Sequence, residues 1–159
     1  MTDAVHVHLH SVMGGTFPLR LADLAFTDTE LVVPEYHYLT PLFGIARGKT
    51  HEVAEEATER YRRTGLAGLL DMAERTHRVP YDRLERVRLY DGRHVGRPKV
   101  AVDVAAGPPY AYRVHAPVDM DALGQALAAL GDRRGFAVEH SDGLGFRPRA
   151  SLRRFLADR

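Results

Sequence analysis

The stretch between residues 79 and 131 constrains the fold most, because strand patterns, turn residues and a helix signal follow one another within it. Apolar and polar residues alternate in three runs, 86–90, 100–105 and 110–115, which is the period of a half-buried strand. Turn-forming Asp, Gly and Pro residues separate these runs. The stretch therefore predicts three consecutive antiparallel strands.

A helix is predicted directly after these strands. Asp119 is a favourable N-cap residue. The apolar residues that recur behind it at helical spacing are Met120, Leu123, Leu127 and Leu130. Gly131 provides the expected C-terminal stop. The apolar side of this helix is therefore expected to cap the sheet.

An earlier run, residues 5–10, alternates aliphatic residues with three histidines, which are His6, His8 and His10. The alternation predicts a strand with its aliphatic face toward the core and its imidazoles toward solvent or a cavity. Histidines two residues apart on one strand face lie about 6.5 to 7 Å apart, which lets adjacent pairs converge on one metal ion. These three histidines are therefore the predicted metal site, and no other cofactor is expected.

A neighbouring strand would have to supply a further ligand to such an ion. The candidates are His37, His115, Asp103 and Glu35. In the alternative interpretation, the histidines only line the exposed face of an edge strand. The sequence contains no zinc-protease, phosphate-loop or nucleophile-elbow motif, so no catalytic residue is predicted.

Two further strand patterns, at residues 19–26 and 31–33, flank a hairpin connection at residues 27–30. Pro34 follows at once and cannot donate a hydrogen bond to a sheet ladder, so an edge strand or a bulge is predicted there. A last strand pattern covers residues 136–140. Strands are therefore expected near both ends of the chain.

Residues 50–77 have the period of a helix. The first apolar stripe is formed by Val53, Ala57 and Tyr61, and a second stripe begins after Gly65. A change of stripe at a glycine predicts a kink or two short helices. This segment is therefore expected to be a helical insertion between two groups of strands.

The 159 residues are expected to form one α+β domain, residues 1–159. The predicted architecture is an antiparallel sheet or partly open barrel with a C-terminal capping helix, a helical insertion at about 50–77 and a C-terminal extension at about 132–159. A domain of this size buries roughly 68 to 70 per cent of its unfolded surface, which suffices for one core.

Composition narrows the classes of function. With no cysteine, the chain has no disulfide, no thiolate metal ligand and no cysteine nucleophile. A formal net charge of +1 disfavours a surface dedicated to polyanions. The sequence shows no signal-peptide pattern and no run of the roughly 20 apolar residues that a membrane span requires. A cytoplasmic location is therefore expected.

The C-terminal extension offers a second candidate site. Guanidinium groups bind phosphate through paired hydrogen bonds. Arginines crowd the end of this segment, and the candidate ligand-binding residues among them are Arg147, Arg149, Arg153 and Arg154. They are predicted to bind a phosphorylated ligand, or else to pair with the glutamates of residues 50–77. Nucleic acid is disfavoured as a partner, because few aromatic residues interleave with the arginines.

A third candidate is the aromatic and aliphatic cluster at residues 36–45. Aromatic residues at this spacing are most often part of a core. Pro41 and Gly44 favour a loop instead, where exposed apolar groups would form a binding groove or a dimer surface.

Two patches of the sequence resemble bacterial and archaeal pleckstrin-homology-like domains. The first is Val79-Pro80-Tyr81-Asp82-Arg83-Leu84-Glu85-Arg86-Val87, followed by Leu89, Asp91-Gly92, a hairpin and the amphipathic helix, and the second is Phe26-Thr27-Asp28-Thr29-Glu30-Leu31-Val32-Val33. The resemblance implies a bent or partly closed antiparallel barrel capped by the helix that begins at Asp119. It also implies an interaction or assembly module.

These observations favour a non-catalytic binding or self-association module of pleckstrin-homology-like type. Its expected partner is another protein or a second copy of the chain. One alternative is a metal-dependent enzyme that uses the strand with His6, His8 and His10. The other is an anion or nucleic-acid binder that uses the arginine-rich tail.

Overall fold

The computed structural model describes residues 3–14, 19–39, 46–92 and 96–141. The elements in this part of the chain are β1 (Val7–Gly14), β2 (Leu19–Phe26), β3 (Glu30–Leu39), α1 (Ala46–Thr64), α2 (Leu66–Met72), β4 (Arg75–Pro80), a 3-10 turn (Tyr81–Arg83), β5 (Leu84–Tyr90), β6 (Lys99–Val104), β7 (Tyr110–Val114), α3 (Met120–Arg134) and β8 (Ala137–Ser141).

The strands form one eight-stranded sheet in the order β4-β3-β2-β1-β7-β6-β5-β8. All neighbouring strands are antiparallel except β5 and β8, which are parallel. The predicted α+β class with a mainly antiparallel sheet is confirmed, and so is the antiparallel trio of β5, β6 and β7. The last strand is parallel because α3 lies between β7 and β8 in the chain and carries it across the sheet.

The sheet has an apolar core on each face. The inner face is the one that α3 covers, and the whole predicted stripe of that helix is buried against it. The outer face packs against α1 and α2 through a smaller core that includes Ala57 and Leu69. Because β2 lies between these cores, every one of its residues except Leu19 is buried.

The ends of α3 follow two different rules. The carboxylate of Asp119 caps the helix as predicted, accepting hydrogen bonds from the backbone N–H groups of Asp121 and Ala122. The predicted stop at Gly131 is wrong, because the helix continues to Arg134 and ends at Gly135 with a φ of 87°. Gly131 serves close packing instead, since a Cβ atom there would lie 2.4 Å from the carbonyl oxygen of Phe136.

Pro34 lies in the interior of the sheet, so the predicted edge strand is wrong. β3 pairs with β2 on one side and with β4 on the other. The alternative prediction of a bulge at Pro34 is also wrong, because the bulge of this strand lies two residues further on. The β2–β3 register passes from Ala22 opposite Glu35 to Leu21 opposite His37, which leaves Tyr36 as an extra residue.

The predicted helical segment is present as two helices between β3 and β4. Gly65 separates them with a φ of 64°, which explains the change of apolar stripe in the sequence. The segment begins earlier than predicted, at Ala46, and ends at Met72. Residues 75–77 belong to β4, so the C-terminal boundary of the prediction is wrong.

Candidate metal centre

A bulge in β1 shapes the surface beneath α1. Val7 and Leu9 are buried in the inner core as the alternation predicts, so His8 and His10 lie on the outer face. The β1–β2 register passes from Leu9 opposite Leu24 to Val12 opposite Ala22. Two residues of β1 therefore face one residue of β2, which is Asp23.

Asp23 lies on the outer face of β2 between residues that belong to the outer core, and its side chain is 0% exposed. Its Oδ2 atom lies 2.7 Å from His8 Nε2 and 2.9 Å from His10 Nδ1. Its Oδ1 atom accepts a 3.0 Å hydrogen bond from the backbone N–H of Ser11. Ser11 has a φ of 55°, which is uncommon outside glycine. The carboxylate therefore holds both the bulge and the two imidazoles.

The charge state of Asp23 follows from these contacts. Burial alone would raise the pKa of its carboxyl group, but hydrogen bonds from His10 and His8 and their positive charge lower the pKa below its ordinary value. Asp23 is therefore an ionised carboxylate, and an ion of this kind inside a protein requires positive partners.

His10 connects the sheet to α1. Burial lowers the pKa of its imidazole, but the hydrogen bond and charge of Asp23 outweigh burial and raise the pKa overall. The Nε2 atom lies 2.5 Å from the Thr58 hydroxyl oxygen, and that hydroxyl donates to the carbonyl of Ala54 at 2.9 Å. Since the hydroxyl hydrogen is already used, its oxygen accepts from Nε2–H. Both ring nitrogens of His10 then carry protons.

Helix α1 forms a cover over the two imidazoles. The Tyr61 ring lies over His8, with 4.1 Å between the ring centroids and a tilt of 36°. Burial and the charge of Asp23 raise the pKa of the Tyr61 hydroxyl. The side chains of His8 and His10 remain 16% and 25% exposed. The cluster is therefore covered without being sealed from solvent.

Tyr36 brings a phenol group to the same place. The residue is 3% exposed and packs in the outer core. Burial, the nearby charge of Asp23 and a hydrogen bond to its carboxylate raise the pKa of the Tyr36 hydroxyl.

The cluster fits a transition-metal ion. One ligand atom from each of His8, His10 and Asp23 lies within 4.8 Å of the other two. Tetrahedral ligands with bonds of about 2.0 to 2.1 Å lie about 3.3 to 3.4 Å apart. The imidazole nitrogens, at 2.7 and 2.9 Å from the carboxylate oxygen, would need to retreat by roughly half an ångström. Imidazole and carboxylate are also the donors that zinc and iron accept.

The three predicted histidine ligands do not share one set of contacts. His8 and His10 meet at Asp23, whereas His6 Nε2 lies 2.6 Å from Asp28 Oδ1. Arg134 also reaches Asp28, at 3.2 Å. His6 therefore belongs to a separate ion-pair group near the C-terminal end of α3.

The candidates for the further ligand lie elsewhere in the described structure. Asp103 pairs with Arg86 and Arg88, and His115 with Arg97. Glu35 pairs with Arg20 on the inner face. The side chain of His37 is outside the described residues. The carboxylate that joins the cluster is Asp23, which the sequence reasoning missed.

The other two candidate sites fall largely outside the described part of the chain. The four tail arginines, Arg147, Arg149, Arg153 and Arg154, all follow residue 141, where that part ends. In the cluster at residues 36–45, Tyr36 is buried in the outer core and residues 40–45 are outside the description. Among the described helices, none is long and apolar enough to cross a membrane.

Comparison with solved structures gives a distant fold neighbour. The hSac2 domain from the human phosphoinositide phosphatase Sac2 aligns with a TM-score of 0.52 and 9% sequence identity, over 91% of this chain and 81% of that chain. At this identity the similarity concerns the fold alone. No protein-family model and no curated protein sequence matches the chain.

Proposed function

We propose that this chain is a binding module of pleckstrin-homology-like type, and that its ligand is a first-row transition-metal ion held by His8, His10 and Asp23. The observation that carries the proposal is the convergence of two imidazole nitrogens on one oxygen of a fully buried carboxylate. The antiparallel sheet with a C-terminal helix supports the architectural part of the proposal.

The chemistry of the partners favours a metal over a permanent ion pair. An imidazole that loses a proton exposes a lone pair, so His8 and His10 can exchange hydrogen bonds for metal bonds without leaving the cluster. Asp23 already carries the negative charge that a cation requires. Its hydrogen bond from Ser11 acts as the outer contact that orients a ligating carboxylate.

A metal-dependent enzyme is the second candidate, and one observation favours it. Two histidines and one carboxylate leave a tetrahedral ion with one open position, which is the arrangement of catalytic zinc sites. The partial exposure of His8 and His10 would give water or substrate access to that position. The enzyme would then use Asp23 as its third ligand in place of His6.

Self-association and anion binding remain predictions. A second copy of the chain could pair with β4 or β8, which are the edge strands of the sheet. Binding of a phosphorylated ligand depends on the four tail arginines, Arg147, Arg149, Arg153 and Arg154. Neither proposal uses the metal cluster, so both are independent of the experiment below.

The test is a titration of the full chain with Co²⁺, followed by visible absorption and calorimetry. A single site per chain is expected, with intense bands from a four-coordinate ion. His8→Ala and Asp23→Asn should abolish binding. His6→Ala is the matched control, because it removes the neighbouring imidazole, which contacts Asp28 instead of Asp23, and it should bind like the wild type. Equal loss of binding in all three variants, or no binding by the wild type, would overturn the proposal.

A further inference from the structure

We infer that the inner face of the sheet holds a second binding site, which takes a small organic anion with a single carboxylate group. The site is formed by the inner polar cluster, which consists of Arg20, Glu35, Arg75, His77 and Tyr110. It lies on the opposite face of the sheet from the metal cluster, so the inference goes beyond the proposed function and does not depend on it. The site is also distinct from the arginines of the tail.

Strand alternation places two residues of β4 on the inner face. Val79 belongs to the inner core, and His77 and Arg75 precede it by two and four residues on the same strand. In the β3–β4 register, His77 lies opposite Val33 and Arg75 lies opposite Glu35. Arg75 and His77 therefore leave the sheet on the same side as Glu35.

The sheet curves enough to bring β4 and β7 together across this face. The ring centroids of His77 on β4 and Tyr110 on β7 lie 5.5 Å apart. Three strands separate β4 from β7 in the sheet. In a flat sheet the two strands would be about 19 Å apart, at about 4.8 Å for each step between neighbours. The inner polar cluster therefore lies between two sides of a curved sheet.

The charges within the inner polar cluster do not balance. Arg20 and Glu35 are each 7% exposed, and Arg20 Nη1 lies 2.9 Å from Glu35 Oε2. The other carboxylate oxygen, Oε1, lies 3.3 Å from His77 Nε2. Glu35 therefore uses both oxygens on partners other than Arg75, although Arg75 lies opposite it in the register. Two guanidinium groups in the cluster thus face one carboxylate.

Arg75 is the group that lacks a counterpart. Within the described part of the chain, its Nη1 atom is shielded from solvent and has no hydrogen-bond partner. A buried donor without an acceptor is costly, and an unbalanced buried charge costs more. A bound anion would supply both the acceptor and the negative charge.

Two properties of the cluster select the class of anion. One unbalanced positive charge is neutralised by one negative charge, which a single carboxylate carries. A planar guanidinium also pairs with a carboxylate through two parallel hydrogen bonds. A phosphate ion with two negative charges would replace an excess of positive charge with an excess of negative charge. The cluster therefore favours a monocarboxylate.

Aromatic rings border the cluster on the side of β7. Gly14 of β1 pairs with Arg20 on one side and with Tyr112 on the other. A Cβ atom at Gly14 would lie 3.0 Å from a ring carbon of Tyr112, so this glycine leaves room for the ring beside Arg20. Tyr110 and Tyr112 both pack with the inner core. These rings would contact the apolar part of a ligand, so an aromatic carboxylate should bind more tightly than acetate.

An anion can reach the cluster from one side. Arg20 and Glu35, on β2 and β3, are buried, whereas Arg75, His77 and Tyr110 are partly exposed. The partly exposed residues lie on β4 and β7. The expected route of entry is therefore between these two strands.

The experiment is a calorimetric titration of the full-length, metal-free chain with benzoate, acetate and phosphate at constant ionic strength. One benzoate is expected to bind per chain, more tightly than acetate or phosphate. Arg75→Gln should weaken the binding of benzoate at least about tenfold. Arg78→Gln is the matched control, because Arg78 also lies on β4 but is exposed and pairs with Glu30. This variant should bind benzoate like the wild type.

Thermal unfolding separates loss of binding from loss of folding. Without ligand, Arg75→Gln should unfold at a temperature no lower than the wild type, because the substitution removes an unbalanced buried charge. Saturating benzoate should raise the unfolding temperature of the wild type and of Arg78→Gln, but not that of Arg75→Gln.

Three results would overturn the inference. They are no binding of benzoate or acetate by the wild type, equal binding of benzoate by Arg75→Gln and the wild type, and tighter binding of phosphate than of benzoate. Because the protein is free of metal in this experiment, none of these results bears on the metal centre.

Discussion

Two buried carboxylates lie on neighbouring strands and on opposite faces of the sheet, and they are neutralised differently. On the outer face, Asp23 contacts two imidazoles, those of His8 and His10. On the inner face, Glu35 contacts the Arg20 guanidinium at 2.9 Å and His77 Nε2 at 3.3 Å. For both carboxyl groups burial raises the pKa, and the positive partners lower it further than burial raises it.

The partners of the two carboxylates differ in whether they can release a proton and bind a metal ion. A guanidinium keeps its proton and has no lone pair for a metal, so the Arg20–Glu35 pair is a fixed ion pair. An imidazole can release a proton and turn its nitrogen toward a cation. The buried negative charge is therefore neutralised on the inner face by His77 together with a guanidinium that keeps its proton, and on the outer face by two imidazoles alone.

The largest expected effect comes from removing each carboxylate in turn. Glu35→Gln leaves the buried Arg20 guanidinium without the Glu35 charge, which should lower the free energy of unfolding by about 3 to 5 kcal/mol. Asp23→Asn should cost less, about 1 to 3 kcal/mol, because the two imidazoles can become neutral. Chemical denaturation of both variants at neutral pH measures the difference. An equal loss of unfolding free energy in the two variants, or a larger loss in Asp23→Asn, would show that the imidazole cluster is as fixed as the guanidinium pair.

Metal should stabilise only one of the two clusters. At a free Co²⁺ concentration of about 100 times the Kd, the free energy of unfolding should rise by about 2.7 kcal/mol. His77→Gln alters the inner cluster and should keep this increment, whereas His8→Ala should lose it. Thermal unfolding with and without the ion makes the comparison. An increment that survives in His8→Ala would place the ion elsewhere.

The pH dependence should also separate the clusters. Because the folded-state pKa of His10 is raised, its stabilising contribution is complete below the unfolded value of about 6.5 and is lost as pH rises through the folded pKa. For Asp23 the folded-state pKa is lowered, so its contribution is lost as pH falls through that pKa. The Arg20 guanidinium stays protonated, so it causes no loss of stability as pH rises.

Asp23→Asn should therefore flatten the decline in stability above about pH 6.5, since His10 no longer gains from a neighbouring charge. Urea unfolding of the metal-free protein over a pH series gives the slope. A decline of the same size in the variant and in the wild type would assign it to other groups.

The smallest expected effect concerns the contact between the outer cluster and α1. Thr58→Val removes the hydroxyl that lies 2.5 Å from His10 Nε2 and should cost about 0.5 to 1.5 kcal/mol. Thr64→Val is the matched control, because the Thr64 hydroxyl also donates to a carbonyl one turn back, that of Arg60 at 3.0 Å, but faces solvent. An equal loss of unfolding free energy in the two variants would show that the contact between His10 and Thr58 does not stabilise the packing of α1 on the sheet.

Much of the fold could be predicted because its signals are local. The run from Leu19 to Phe26 has its predicted bounds, and the Asp119 cap and apolar stripe of α3 are where the sequence puts them. The C-terminal end of α3 was predicted wrongly at Gly131, because glycine is used both at helix ends and at positions of close packing. In that case the deciding contact is with Phe136, which only the folded chain brings near.

The site could be predicted only in part, because only some of its signals are local in the sequence. Alternation along one strand put His8 and His10 on a common face, which the structure bears out. Which acid meets them depends on the β1–β2 register and on the bulge at Ser11, and neither has a local signal. One clue was available: Asp23 is the single acidic residue in the buried run of β2.

The most direct measurement of the central claim is metal content by elemental mass spectrometry, after the full-length chain has been loaded with a transition-metal ion and dialysed. The wild type and His6→Ala should each retain close to one ion per chain, and the double variant His8→Ala, His10→Ala should retain none. Folding of all three proteins is checked by circular dichroism. An empty wild type, or a double variant that keeps its ion, would contradict the assignment of His8, His10 and Asp23 as a metal centre.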